Sequence, residues 1–419
     1  MMTLPRIAAR TLLTLVVFHG IAHAADTPLK VYILAGQSNM EGHARVEVLD
    51  YLGDDPQTAP LLVEIKNSDG SHRLIRDTWI SFQTGLRGRI DGENREVFGQ
   101  LTTGYGSQAN RDYEQPGEKI GPELAFGITL QKELNEPILI IKTAWGGQSL
   151  HTNFRSPSSG PYVPSKDDVA RGKFDTEEQK EKLRKTTGAR YRQMIDHVQF
   201  VLQDIKRVYP DYDSKSGYEL AGFVWFQGFN DMVGRNVYPL VKSDSTVPRF
   251  ARYTEWFANF IRDTRQDLSA PDMPFIIGVM GVSGADANEG NLEFRRSQAA
   301  VAEIPEFQGT VVAVPTSPYW DERLAVIDEK RGQIRQKGHL LKTKNAKHEN
   351  ADGTMTPQKI KQFLVEYETQ LFTAEDLALD QRGKSNAGYH YLGSAKTFCQ
   401  IGQAFAESLL AFHAKRTGK

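Results

Sequence analysis

An α/β fold with a mainly parallel, doubly wound sheet is the architecture this sequence predicts, and two observations carry the prediction. Five short apolar runs alternate with longer stretches whose apolar residues recur at helical spacing, the pattern of strands joined by helices that cover both faces of a sheet. The first four runs also stop at or just before glycines, which puts glycine-bearing loops at the carboxyl ends of strands, where sheets of this kind bind ligands. Composition agrees and narrows the choice. Of 419 residues, 39% are hydrophobic and 25% charged, values of a globular chain rather than a coiled coil, a collagen-like fibre or a disordered polymer. Lys and Arg number 51 against 52 Asp and Glu, a net charge of −1, so no electrostatic footprint for nucleic acid is present. Cys399 is the single cysteine, which excludes an intramolecular disulfide and cysteine-ligated zinc clusters.

Read in order, the first segment is an address label. Arg6 and Arg10 precede a short apolar run from Leu12 to Phe18, and Ala22-His23-Ala24 follows as a small-residue cleavage pattern. Together they read as a secretory signal peptide over 1–24, with a secreted or periplasmic product. The run is too short for stable membrane insertion. The predicted strands are 29–35, 137–143, 220–226, 274–280 and 310–314, and the predicted helices 123–134, 189–208, 253–264 and 292–304. A last helix follows 388–391, with its stripe at Phe398, Ile401, Phe405 and Leu409. Three polar segments, near 50–112, 152–188 and 321–385, read as insertions into a single domain over 25–419.

Chemistry concentrates at the predicted strand ends. Ser38 lies in Gly36-Gln37-Ser38-Asn39-Met40, just past the first strand. There its hydroxyl stands at the sheet edge beside backbone N–H groups, and it becomes a nucleophile only if a base takes its proton. Trp145-Gly146-Gly147 follows the second strand, and paired glycines let backbone N–H groups approach a substrate closely. Gln227-Gly228 follows the third strand, with Asn230 and Asp231 next; a carboxamide is a neutral donor suited to an oxyanion. His390, just ahead of the final helix, supplies a base. The remaining histidines show no metal-ligand spacing, so neither a metal nor a cofactor is expected.

Gly36-Gln37-Ser38-Asn39-Met40 resembles the first block of the SGNH-type carbohydrate O-acetylesterases, the sialate O-acetylesterase-like and acetylxylan esterase-like proteins. Gly146-Gly147 resembles their second block, Trp225 to Asp231 their W-x-Q-G-E-x-D block, and Gly121-Pro122-Glu123 their G-P-E segment. The resemblance implies a flavodoxin-like fold and a serine esterase acting on an acetylated carbohydrate. It makes Ser38 the nucleophile and His390 its base, with an oxyanion hole from the N–H of Ser38, of Gly146 or Gly147, and the Gln227 side chain. Gln37, Trp145 and Asn230 are expected to contact substrate. Two positions depart from the pattern: Phe229 replaces the third-block acid, and Ala387 stands where an Asp is usual three residues before the histidine. Asp321, just beyond the fifth strand, ranks first as the displaced acid, with Glu41, Asn386, a backbone carbonyl or a Ser–His dyad as alternatives. A non-catalytic carbohydrate-binding protein on the same frame, and an esterase for another acyl group, are the competing readings. The sugar and the oligomeric state are not encoded in any motif.

Overall fold

The computed structural model describes residues 27–85, 94–107, 116–170, 172, 174–240 and 246–417; the segment read as a signal peptide lies outside them. Among these residues the strands are β1 (Leu29–Gly36), β2 (Ala44–Arg45), β3 (Thr78–Gly85), β4 (Asn94–Gln100), β5 (Lys119–Ile120), β6 (Ile138–Ala144), β7 (Tyr218–Phe226), β8 (Phe275–Val279) and β9 (Val311–Pro315). The helices are α1 (Ser38–Glu41), α2 (Ala59–Ile65), α3 (Glu123–Leu134), α4 (Lys166–Ala170), α5 (Glu177–Thr186), α6 (Ala189–Gln203), α7 (Phe229–Met232), α8 (Ala251–Asp267), α9 (Glu289–Ala299), α10 (Glu322–Lys342), α11 (Pro357–Leu371), α12 (Ala374–Gly383) and α13 (Ala395–Thr417).

One sheet runs in the order β4-β3-β6-β1-β7-β8-β9, parallel throughout except for β4, which lies antiparallel to β3 at one edge. The five strands expected from sequence are all present, and their spatial order is second, first, third, fourth, fifth. That is the flavodoxin-like doubly wound order, whose switch point flanks β1. β1 and β6 are apolar on both faces because helices cover both. Alternation along β7 shows the two layers: Phe223 and Trp225 pack on Phe260 of α8, while Phe226 meets Phe405 of α13 on the other side.

Two segments expected as insertions contain regular structure. Within 50–112, β3 is a full member of the sheet, and its buried Ser81 and Thr84 break the continuous apolar run that marks the other strands. Within 321–385, α10, α11 and α12 form a helical layer. It is tied by ion pairs rather than a broad apolar stripe: Lys330–Asp376 at 2.6 Å, Arg331–Asp380 at 2.7 Å, Lys384–Asp328 at 3.2 Å, and Arg331 with Glu368. No helix among the described residues is long and apolar enough to cross a membrane.

Beneath the switch point lies a charged pair with no exposure at all. Lys142, in the middle of β6, donates from Nζ to Glu123 Oε2 at 2.7 Å and to the carbonyls of Glu41 and Tyr105, each at 2.8 Å. Glu123 Oε1 accepts the Gly121 N–H at 2.9 Å. Burial pushes the Glu123 carboxyl up and the Lys142 ammonium down, and each opposes the other's shift by its charge. Lys142→Met should leave a buried carboxylate uncompensated and destabilise the protein by about 3–5 kcal/mol. The double variant Lys142→Met/Glu123→Leu should recover much of that loss in urea unfolding. Equal stability of Lys142→Met and the native protein would show the pair to be dispensable.

Candidate active site

The strand-to-helix turn after β1 sets the geometry. A Cβ on Gly36 would stand 2.2 Å from the Phe226 carbonyl oxygen, so only glycine lets β1 and β7 close this tightly above the turn. Ser38 then begins α1, with Glu41 N–H on the Gln37 carbonyl at 2.8 Å and Gly42 N–H on the Ser38 carbonyl at 2.9 Å. The Ser38 N–H itself heads the turn. Across from it, the loop after β6 brings Gly146 so close that a Cβ there would lie 3.7 Å from Ser38 Cβ. Gly147 takes φ +73°, a conformation glycine adopts without strain. Gly146 O accepts from Gln148 Nε2 at 3.1 Å and Gly147 O from Asn230 Nδ2 at 3.1 Å, which turns both carbonyls away. Among the described residues, the N–H groups of Ser38, Gly146 and Gly147 meet no protein acceptor.

Behind these donors is a polar network. Gln37 is buried; its Oε1 accepts from Gln227 Nε2 at 3.1 Å and from the N–H groups of Gly228 and Asn230, each at 3.3 Å. Its Nε2 reaches Asn230 Oδ1 at 2.9 Å and Ser38 Oγ at 3.5 Å. Gln227 is fully buried, and its Nε2 also lies 3.1 Å from the Gln148 carbonyl and 2.6 Å from Asp231 Oδ2. Two N–H bonds directed at three acceptors leave nothing for an oxyanion. The expectation that Gln227 completes the oxyanion hole and Gln37 contacts substrate is therefore corrected: both are internal struts, because buried amides must satisfy their polar atoms inside the protein. Asp231 anchors the network, accepting from Gln227, from Tyr238 Oη at 2.7 Å, and from the Leu150 and His151 N–H groups at 2.8 and 3.1 Å. Asn230 is the half-exposed member of this group, and its amide keeps one N–H beyond the Gly147 contact.

His390 lies in a tight turn at residues Gly388–Gly393, ahead of α13. Tyr391 and Leu392 take φ of +50° and +61°, a costly left-handed conformation for such side chains. The turn is over-determined: Tyr391 Oη accepts the Gly281 N–H at 2.7 Å and meets Thr316 Oγ1 at 2.6 Å, and Leu392 O accepts the N–H groups of Ser385 and Asn386, each at 3.0 Å. Asn39 Nδ2 donates to the Tyr389 carbonyl at 3.2 Å, which docks this turn on α1. Among the described residues, no hydrogen bond joins Ser38 Oγ to the His390 ring.

The partner of His390 Nδ1 is Asn386 Oδ1 at 3.0 Å. That oxygen also accepts the Ala387 N–H at 2.8 Å, which fixes the amide's orientation. Asp321 is elsewhere. Its carboxylate caps α10 through the Leu324 N–H at 3.1 Å, accepts Tyr51 Oη at 2.8 Å, and pairs with Lys396 at 3.1 Å. The expected Asp321–His390 contact is corrected: a free helix end and a buried phenol claim this carboxylate. Trp145 is corrected too. It is buried, with Nε1 on Asn94 Oδ1 at 3.2 Å and the Arg190 guanidinium 4.8 Å from its ring. The aromatic wall beside His390 is Tyr389, 4.3 Å away, with Phe229 packed 5.7 Å beyond it.

One residue went unassigned in the sequence. The His43 ring stacks on the His390 ring at 3.8 Å and 2°. Its Nε2 stands 3.7 Å from Glu41 Oε2, and Thr84 Oγ1 donates to Glu41 Oε1 at 2.9 Å. Its position five residues after Ser38 in the same segment was the available signal.

The sequence matches the family described as carbohydrate esterase, sialic acid-specific acetylesterase, over residues 28–316, and the chain belongs to that family of hydrolases. No curated protein matches the chain. Solved structures that resemble it include an Arabidopsis thaliana protein at 12% identity and TM-score 0.39, covering 92% of this chain and 98% of that one. A carbohydrate acetylesterase from Xanthomonas citri matches at 17% and 0.37, covering 68% and 49%, and NanS at 15% and 0.36, covering 93% and 99%.

Asn386→Ala should lower kcat by up to about a hundredfold, with little change in KM, because it removes the orienter of the base. Asp321→Asn should leave kcat near the native value and instead cost roughly 1–3 kcal/mol of stability through its charged hydrogen bonds. Steady-state kinetics and thermal melts of the two variants separate the roles. A steep loss of kcat in Asp321→Asn with unaltered melting would return that residue to the catalytic group.

Proposed function

We propose that this carbohydrate esterase is an exported serine enzyme that removes O-acetyl groups from a saccharide through an acyl-enzyme on Ser38. The observation that carries the reading is the set of uncommitted backbone N–H groups of Ser38, Gly146 and Gly147, on two loops so close that a Cβ on Gly146 would lie 3.7 Å from Ser38 Cβ. Donors held at fixed positions favour the charge that develops on a carbonyl oxygen in the transition state more than the neutral ground state. The remaining N–H of Asn230 takes the side-chain donor position that Gln227 does not fill.

Ser38 Oγ attacks the acetyl carbonyl carbon while His390 takes its proton. The oxyanion rests on the backbone N–H groups. Collapse breaks the bond to the sugar oxygen, and His390 returns the proton to that oxygen as the sugar leaves. Water then attacks the acetyl-Ser38 ester, His390 takes the water's proton, and acetate departs as Ser38 is reprotonated. Asn386 holds the imidazole in place throughout but adds no negative charge. Glu41 Oε2 stands 3.7 Å from Nε2 of His43, whose ring stacks on that of His390. Export is supported by the basic, apolar and Ala-His-Ala succession at 1–24.

Ser38→Ala should reduce hydrolysis of p-nitrophenyl acetate and of an acetylated oligosaccharide by at least roughly 10⁴-fold. Its circular dichroism and melting should stay native, and a fluorophosphonate should label the native protein at Ser38 alone by peptide mass mapping. Retained turnover in purified Ser38→Ala would overturn the acyl-enzyme.

A further inference from the structure

Next to the site, on the same edge of the sheet, lies a cavity of about 650 Å³ between the segment at 151–186 and the end of α7. That volume falls within the range of about 300–1,000 Å³ usual for small-ligand sites. The two loops that bound it are the two that build the esterase site. Asn230, 2.9 Å from Gln37, and Val233 and Gly234 in the cavity wall are less than two helical turns apart, about 6 Å of rise from Asn230 to Gly234. His151, in the opposite wall, follows Gly146-Gly147 by a few residues and is tied to α7 through Asp231.

We propose that this cavity is a second saccharide subsite, for a uronic-acid residue joined to the sugar that carries the acetyl ester. The proposal rests on the esterase reading of Ser38. Three features carry it. Tyr162 and Phe174 supply aromatic faces, which suit the C–H face of a pyranose. Gln179, Lys182, Leu183 and Thr186 stand at i, i+3, i+4 and i+7 on α5 and turn one face of that helix into the cavity. The charge of the lining is net positive. Lys180, Arg184 and Lys185 on α5 are paired with Glu177 and Glu181, whereas Lys182 and Arg235, both in the lining, form no ion pair among the described residues.

Of the other ionisable groups described there, the Asp168 carboxylate offsets one of the two positive charges and leaves the lining net positive. Asp168 is held as a structural acceptor by Ser165 Oγ and Asn236 Nδ2, each at 2.9 Å, which staples α4 to the segment after α7. His151 is kept neutral by burial, with Nδ1 2.6 Å from Thr152 Oγ1. Tyr162 is held in its phenol form, chiefly by burial. A carboxylate at the mouth thus meets an ammonium and a guanidinium, while hydroxyls of the sugar meet amide and hydroxyl groups. An acetylated chain of uronic acids fits this arrangement; a short neutral ester does not use it.

The test compares the native enzyme with Lys182→Ala/Arg235→Ala on four acetyl esters: an acetylated oligogalacturonide, an acetylated xylo-oligosaccharide, an acetylated sialic acid and p-nitrophenyl acetate. The double variant should raise KM for the galacturonide about tenfold at unchanged kcat, the size expected from two half-exposed ion pairs. It should leave the neutral xylo-oligosaccharide and p-nitrophenyl acetate as they were, and added salt should raise the native KM for the galacturonide alone. Unacetylated trigalacturonate, titrated calorimetrically into native protein and variant, should bind the native form about tenfold more tightly. An unchanged galacturonide KM, or equal changes on the neutral oligosaccharide, would overturn the anionic subsite. An equal rise for the sialic acid, whose carboxylate sits on the acetylated residue itself, would overturn the assignment to a neighbouring sugar. Failure of all four esters to be cleaved would refute the esterase reading, and the trigalacturonate titration would still decide the cavity.

Discussion

Much of this molecule hangs on one buried ammonium. Lys142 touches β6, α3, the end of α1 and the loop at Tyr105 in a single tetrahedral set of hydrogen bonds. A lysine with its three donors all satisfied inside the protein has one favourable geometry, and anything that shifts one acceptor disturbs the others. Because one of those acceptors is the carbonyl of Glu41, the last residue of the short helix that starts at Ser38, the pair that secures the fold also helps set the pose of Ser38.

A second polar layer does the same for the other side of the site. Gln37, Gln227 and Asp231 form a closed buried network whose business is with one another and with backbone groups of the loops at 148–151 and 228–230. Such a network specifies a geometry rather than adding much stability, since each member would be costly to bury alone. Its output is the pose of the glycine loop: the carbonyls of Gly146 and Gly147 are held by the side-chain amides of Gln148 and Asn230.

This distinction explains what was readable in the sequence. Strands covered on both faces announce themselves as near-continuous apolar runs, so β1, β6, β7 and β8 were visible, and the edge strand β9 was visible by its short Val-Val-Ala-Val run. β3, with Ser81 and Thr84 buried among its apolar residues, was not. The helices at 322–383 were hidden because charge pairing, not an apolar stripe, holds much of their layer together. At the candidate site, the placement of Ser38, Gly146, Gly147 and His390 at strand and helix ends was readable because it follows from chain order. Gln37, Gln227 and Trp145 were placed correctly along the chain and misread in role, since residue type does not tell which way a side chain points. Asp321 sat at the right end of its strand but faces a helix terminus and Tyr51. Asn386 was among the alternatives, and only geometry ranks it above the acid.

The turn around His390 has a further consequence. Ser38 follows β1, whereas His390 is pinned through Tyr391 to Gly281 and Thr316, just past β8 and β9. β7 lies between the two anchorages, and its Phe226 packs 5.9 Å from the Tyr391 ring. The distance between Ser38 and His390 is therefore spanned by the sheet itself, across neighbouring strands spaced about 4.8 Å apart. Sheet twist acts as the calibration of that ruler. A repacking deep under Phe226, touching neither Ser38 nor His390, would register as a change in chemistry before it registered as a loss of fold.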